Sequence, residues 1–402
     1  MNTFGILLKY EYKKLLQKKI TRISLIFCII ATIFSCISDL LGDYYIDGER
    51  VDSSYHMAQI DQSYARTLNG REIDRTLLAE TVEAYRKIPK TTGHYTGTAE
   101  YQQYARPYSE ILTFIHMTTL LPISEIMYQW QADEQDLYAR QLKQLGNDLD
   151  ALFLSEGEKA FWLEKNAQIK KPFVYQAHAA YHKQFSIYQT TGLIVLTLIA
   201  VCLAGVFSDE HSRRTDQLIL CSAKGKSSLY WAKMLAGAGF AAGISVLFSF
   251  LSVVLTMFLY GTEGFTAPFQ LVYCFFVPMS CGQVILIAYG IMLITSVIFA
   301  VFIMFLSELT HSSIASLAIG IVLLLVTGMI SIPGYYRVPA QIWQWLPFSF
   351  LAIWNIFNYY TLPLFGHYFT AWQAVPVIYL VAGLGIAAAG KPIYRKYQVT
   401  GR

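Results

Sequence analysis

His178 and His182, in the run HAAYH, stand four residues apart. On a helix they share one face, a spacing able to hold zinc. The H-E-x-x-H zinc proteases carry a glutamate directly after the first histidine, and Ala179 occupies that position here. A catalytic metal is therefore not expected; the remaining readings are an incidental metal site or, by default, two interfacial histidines. No G-x-S-x-G elbow, C-x-x-C pair or G-x-x-x-x-G-K-[ST] phosphate loop occurs in the 402 residues. The expectation is a chain that is not itself an enzyme, with no catalytic residues, metal or cofactor of its own. If it moves something uphill, the energy comes from another subunit or an ion gradient.

The elements that must position any such groups are set by composition. Hydrophobic residues make up 54% of the chain, charged residues 14%, and mean hydropathy is +0.39. An ordinary soluble globule is excluded. A bilayer core of about 30 Å needs roughly 20 apolar helical residues. Six segments meet this: Ile20–Leu41, Ile187–Phe207, Leu229–Leu259, Cys281–Leu306, Ser313–Ile332 and Trp372–Gly390. The expected fold is an all-α polytopic membrane protein with six transmembrane helices. Ionisable groups buried mid-span would mark an ion-driven carrier. Asp39 falls at the end of the first span, Glu263 in the loop after the third and Glu308 in the turn SELTHSS, so none is placed for a proton relay.

Lysine and arginine in short loops set the orientation. Residues 1–19 and the start of the first span carry Lys9, Lys13, Lys14, Lys18, Lys19 and Arg22. The 208–228 loop and the start of the third span carry Arg213, Arg214, Lys224, Lys226 and Lys233, and the 391–402 tail carries Lys391, Arg395, Lys396 and Arg402. Arg337 stands alone in the short loops on the other side. Both termini are expected on the cytoplasmic side of the plasma membrane, which an even number of spans requires.

Between the first two spans, residues 43–186 form one hydrophilic region with 20 acidic and 15 basic residues. It is large enough for a core of its own. REIDRTLLAETVEAYRKI and DEQDLYARQLKQLGNDLDALF space apolar residues by three and four, which predicts a mostly helical extracytoplasmic domain. Its tyrosines, among them Tyr95, Tyr101, Tyr104 and Tyr108, read as half-buried helix packing or as an aromatic ligand surface. None of the six cysteines falls in it, so no disulfide framework is expected there. Residues 333–371 are apolar and aromatic but broken by Pro347 and Pro363 into pieces too short to span, which predicts external re-entrant or interfacial helices. Small residues at Gly239 and Gly243 in GFAAG, and at Gly383 and Gly385, predict close helix packing.

FSDEHSRRTDQLILCSAKGKSSLYWAK, between the second and third spans, sets Leu218, Ile219, Leu220 and Leu229 among charges. That suits a short amphipathic helix docked into a partner's groove, or a solvated loop that supplies positive charge. The segment resembles the first cytoplasmic loop of type-2 ATP-binding-cassette (ABC) transporter permeases through Glu210, Thr215, Leu218, Leu220, Ser222, Lys226 and Lys233. The start, FGILLKYEYKKLLQKKITR, places Phe4, Leu7, Leu8, Leu15, Leu16 and Ile20 against a lysine face, suits an amphipathic helix in the headgroup layer, and is similar to that family's connecting helix. The turn SELTHSS and the six-span pattern resemble the family as well.

The resemblance implies an exporter permease that couples ATP hydrolysis in cytoplasmic ABC ATPase subunits, which use ATP and magnesium, to transport of a peptide, lipid or drug-like substrate. In it Leu218 and Leu220 would give apolar contact with the ATPase. Glu210, Arg213, Arg214, Thr215 and Lys226 would set the polar register of the coupling segment, and Lys9, Lys13, Lys14, Lys18 and Lys19 would anchor the helix to membrane lipids. It further implies a dimer with a second copy or a sister permease, and no nucleic-acid partner. The alternative is a sensor or immunity component that binds an extracellular peptide without transporting it.

Overall fold

The computed structural model describes residues 3–89, 95–212 and 227–396. The chain is mostly helical. Helix α1 (Thr3–Gln17) is separated from α2 (Lys19–Ile37) by Lys18, whose ψ of 131° is extended and redirects the chain. After the segment that follows α2 come α9 (Ala179–Leu203), the short α10 (Ser208–Ser212), α11 (Ser228–Tyr260), α12 (Cys281–Thr310), α13 (Ser313–Met329) and α16 (Ala371–Lys396).

Among the described residues, five stretches are long and apolar enough to cross a membrane: Lys19–Leu40, Ala179–Glu210, Ser228–Tyr260, Cys281–Thr310 and Ala371–Arg395. The protein is accordingly a multi-pass membrane protein. The segment expected as a span over 313–332 is a 17-residue helix instead. Ile330 turns to an extended conformation, and Pro333, which disfavours helix in the residue before it, follows shortly. Seventeen residues reach only about 25 Å.

Helices α9 and α12 are the inner members of the bundle; about two thirds of the apolar stretch of each is buried, against about a quarter in α2, α11 and α16. The outer helices present Phe250, Phe258 and Leu384 to the surroundings, as lipid-facing helices do. Gln184 of α9 bonds Ser252 at 2.8 Å and accepts from Thr256 at 2.6 Å on α11, and also bonds Tyr289 of α12. In hydrocarbon such groups need internal partners, so this buried net fixes the register of three helices.

The glycines expected to pack helices closely divide into two that do and two that do not. A Cβ on Gly239 would run into the Tyr12 hydroxyl of α1, and one on Gly383 would meet Ile298 Cδ1 at 2.8 Å, whereas Gly243 and Gly385 face open space. Gly239 thus seats α1 on α11, and Gly243 packs nothing because it lies four residues along on a stretch that α1 does not cover. Gly239→Leu is expected to lift α1 from the bundle at a cost of about 1–3 kcal/mol, read as faster proteolysis within residues 3–17 of the detergent-solubilised chain. Unchanged cleavage would refute this seating.

Residues 43–186 open with a hairpin, β1 (Asp43–Ile46) and β2 (Glu49–Ser53), whose turn residues Asp47 and Gly48 both have positive φ. Helices α3 (Ser54–Thr67), α4 (Arg75–Arg86), α5 (Ser109–Thr119), α6 (Ile123–Tyr128), α7 (Glu134–Ala151) and α8 (Glu156–Ala167) follow. Helix α4 starts where Asp74 accepts from the Leu77 N–H at 2.9 Å, and it buries Leu77, Leu78, Val82 and Tyr85 at helical spacing against Ile111, Phe114 and Ile115 of α5. Each such side chain contributes roughly 1.5–3 kcal/mol of burial. Tyr85, Tyr95 and Tyr101 meet edge to face with centroids about 6 Å apart, so these tyrosines pack the domain core.

The far end of α7 and all of α8 belong with the membrane bundle. Trp162, fully buried, donates to the Tyr359 carbonyl at 2.8 Å. Where external re-entrant or interfacial helices were expected, residues 333–371 form one eight-residue helix, α14 (Arg337–Gln344), a four-residue α15 (Ile353–Ile356) and a hairpin, β3 (Thr361–Leu364) and β4 (His367–Thr370). Phe365 and Gly366, both at positive φ, make its turn. The helices of this stretch are eight residues or shorter.

Candidate functional site

At the end of the bundle away from residues 43–186, four elements converge on six charged side chains. The chain leaves α9 through Phe207 and Ser208, whose N–H groups both donate to Ser307 Oγ of α12, at 3.3 and 3.1 Å. This pins the start of α10. Gly205 is required there, because a Cβ would meet the folded-back Asp209 carboxylate at 2.5 Å.

Glu210 Oε1 accepts from Lys14 of α1 at 2.6 Å and from Lys233 of α11 at 2.7 Å. Lys233 also reaches Glu11 at 3.1 Å and the Val206 carbonyl at 3.3 Å, and its ammonium lies 5.7 Å from the Phe207 ring centroid. Its side chain is wholly buried. One step along, Asp209 takes Lys18 at 2.7 Å on one oxygen and the Ser313 hydroxyl at 3.0 Å on the other. Three carboxylates thus face three ammonium groups. A buried charge persists only when paired and hydrogen-bonded, which is the condition met here. The Glu210 carboxylate holds the Lys14 ammonium above the ordinary lysine range, against the pull of burial in the other direction.

Of the residues expected in the coupling segment, Glu210 is in this clasp, while Arg213, Arg214, Thr215, Leu218, Leu220 and Lys226 lie outside the described residues. Of the expected lipid anchors, Lys9, Lys13 and Lys19 are exposed, but Lys14 and Lys18 turn to protein carboxylates. Charge beside an apolar run reads as headgroup contact; here the acids that claim it stand nearly 200 residues away. Along the expected apolar stripe, Leu15 of α1 is buried while Leu16, and Ile20 at the start of α2, are exposed. Neither the burial of Lys233 nor the role of Asp209 follows from local sequence; a lysine at the fifth position of an apolar run was the available signal.

At the other end, Lys183 of α9 binds Asp39 at 2.7 Å, and His178 Nδ1 lies 2.8 Å from the Gln176 carbonyl and 3.6 Å from Glu110. Asp39, Glu110, His178, His182 and Lys183 border a cavity of about 350 Å³. Among the described residues no group of three or more His, Cys, Asp or Glu is arranged to hold a metal ion. No model of a known protein family matches the sequence, and no curated protein matches it either.

Proposed function

We propose that the chain is the permease subunit of an ABC exporter, working with separate cytoplasmic ABC ATPase subunits. The observation that supports this reading is the clasp. It joins α1, the root of the 208–228 segment, α11 and the α12–α13 turn, so a partner gripping that segment can shift four elements together. ATP binding would close the ATPase subunits, the segment would follow, and the helices would exchange between inward- and outward-facing arrangements. In this reading α13, extended by Ile330 to Ile332, is the sixth span, both termini are cytoplasmic, and a second copy or sister permease completes the pathway. The proposed roles are apolar contact for Leu218 and Leu220 and polar register for Glu210 and Arg213.

The test is purification of the tagged chain from its native cell in mild detergent, with mass spectrometry of its companions. A Walker-motif ATPase in near-equal amount is expected. Leu218→Asp with Leu220→Asp, outside the clasp, is expected to reduce it by about tenfold or more, as loss of central apolar contacts does. Recovery of the chain with no ATPase would overturn the reading. The tight docking of α8 on the bundle favours a second reading, a peptide sensor that relays occupancy without transport. Ligand-stimulated ATP hydrolysis without accumulation in vesicles would select it.

A further inference from the structure

A second cavity, of about 440 Å³, lies between α8, the β3–β4 hairpin, residues 277–279 just before α12 and the first turn of α16. Its walls include the rings of Phe161, Trp162, Tyr368 and Trp372, and its polar groups include Lys165 and His367. No carboxylate lines it. Among the described residues Lys165 has no carboxylate partner; its ammonium lies 5.6 Å from the Phe161 ring centroid. The site therefore offers positive charge beside aromatic walls, and its complement is an anion attached to an apolar body.

Its position says where such a molecule comes from. Val277 to Met279 lead directly into α12, and Trp372 opens α16. Both helices belong to stretches apolar enough to cross a membrane, so the cavity sits at headgroup depth in the leaflet on the domain side. The hairpin that supplies His367 ends in Leu364 and Phe365, the latter 97% exposed. A phenylalanine held open to water at a turn loses the burial its side chain could gain, whereas one set against acyl chains does not.

We infer that this cavity is a binding site for an anionic phospholipid of the domain-side leaflet, with the phosphate at Lys165 and His367 and the glycerol and upper acyl region against the aromatic rings. The inference rests on the membrane placement of α12 and α16 and not on the exporter reading.

The test uses the full chain in detergent, titrated with dioctanoyl phosphatidylglycerol or dioctanoyl phosphatidylcholine and followed by native mass spectrometry. One phosphatidylglycerol per chain is expected, retained about fivefold or more over phosphatidylcholine, the size of a single charge contact at a partly exposed site. Lys165→Gln with His367→Gln should bring the two lipids level, while Lys170→Gln, an exposed lysine outside the cavity, should change nothing. Equal retention of both lipids by the parent chain, or unchanged preference in the double variant, would overturn the inference. Displacement by millimolar inorganic phosphate alone would overturn it too, by showing a free-anion site.

Discussion

Lys233→Met is expected to be the most damaging single substitution in the protein. Methionine keeps the bulk of the side chain but takes from Glu210 and Glu11 the buried ammonium that they share. Breaking a buried charge pair from one side costs about 3–5 kcal/mol, because the remaining carboxylate is desolvated without compensation. The measurement is thermal unfolding of the solubilised chain, with the yield of folded protein beside it. A triple variant that adds Glu210→Gln and Glu11→Gln should recover most of the loss, since removing Lys233 together with both carboxylates it bridges is far cheaper than stranding them, and Lys14, half-exposed, can turn to solvent. A parent-like melting temperature for the single variant would show that Lys233 is not held as an ion. The distinction bears on the proposed coupling: the triple variant should fold, keep its spans and lose transmission from the 208–228 segment.

The second large effect is expected at Glu158, which is almost wholly buried where α8 meets the outer segments of the bundle. Its carboxylate accepts from Arg337 at 2.5 Å, Thr361 at 2.6 Å and the Ser155 hydroxyl and N–H at 2.7 and 2.9 Å; the N–H bond, with the Glu158 N–H donating back to Ser155 Oγ at 3.4 Å, is the capping box of α8. Glu158→Ala strands these donors and removes the cap, for a loss of about 2–4 kcal/mol. Glu158→Gln keeps the shape and should lose less. Burial alone would raise the Glu158 pKa, but the Thr361 and Ser155 hydrogen bonds and the Arg337 charge outweigh it and hold it below the usual glutamate range. A carboxyl depressed on folding stabilises above its unfolded pKa and loses that contribution as pH falls through the folded value. Docking of α8 should therefore weaken in acid below about pH 4.5, near the unfolded value. Glu158→Gln should flatten this acid limb; equally steep acid unfolding in both proteins would refute the assignment.

What could be read from the sequence was local. Apolar runs located the helices at 19–40, 179–210, 228–260, 281–310 and 371–395 to within several residues, because length and hydropathy alone decide such elements. The helices α4 and α7 follow from three-and-four spacing, and Asp74 and Asp133 mark their starts. Asp47-Gly48 is a hairpin signal that helical periodicity on either side obscured. The clasp was only half legible. Glu210 stood out in a polar loop, but the partners that define its chemistry, Lys14 and Glu11, come from the first helix, and pairings of that separation leave no local pattern. The short reach of α13 was foreshadowed by Pro333, and the attachment of α8 to residues 337–361 was not, since it depends on one buried carboxylate meeting side chains some 200 positions later.

Helix α9 runs without interruption from Ala179, beside the cavity that Asp39, Glu110 and His178 border, to Leu203, just before the pinned turn that carries Glu210. Its 25 residues make a rod of about 38 Å. A rod of that length converts angle into travel: tilting it by about 5° about one end moves the other by roughly 3 Å, comparable to the helix shifts at packed interfaces that switch proteins between states. The same member that closes one side of the domain-end cavity is thus a mechanical lever on the clasp. Events at the domain end and events at the clasp need no chain of relayed contacts to be felt by each other; they share a single stiff arm.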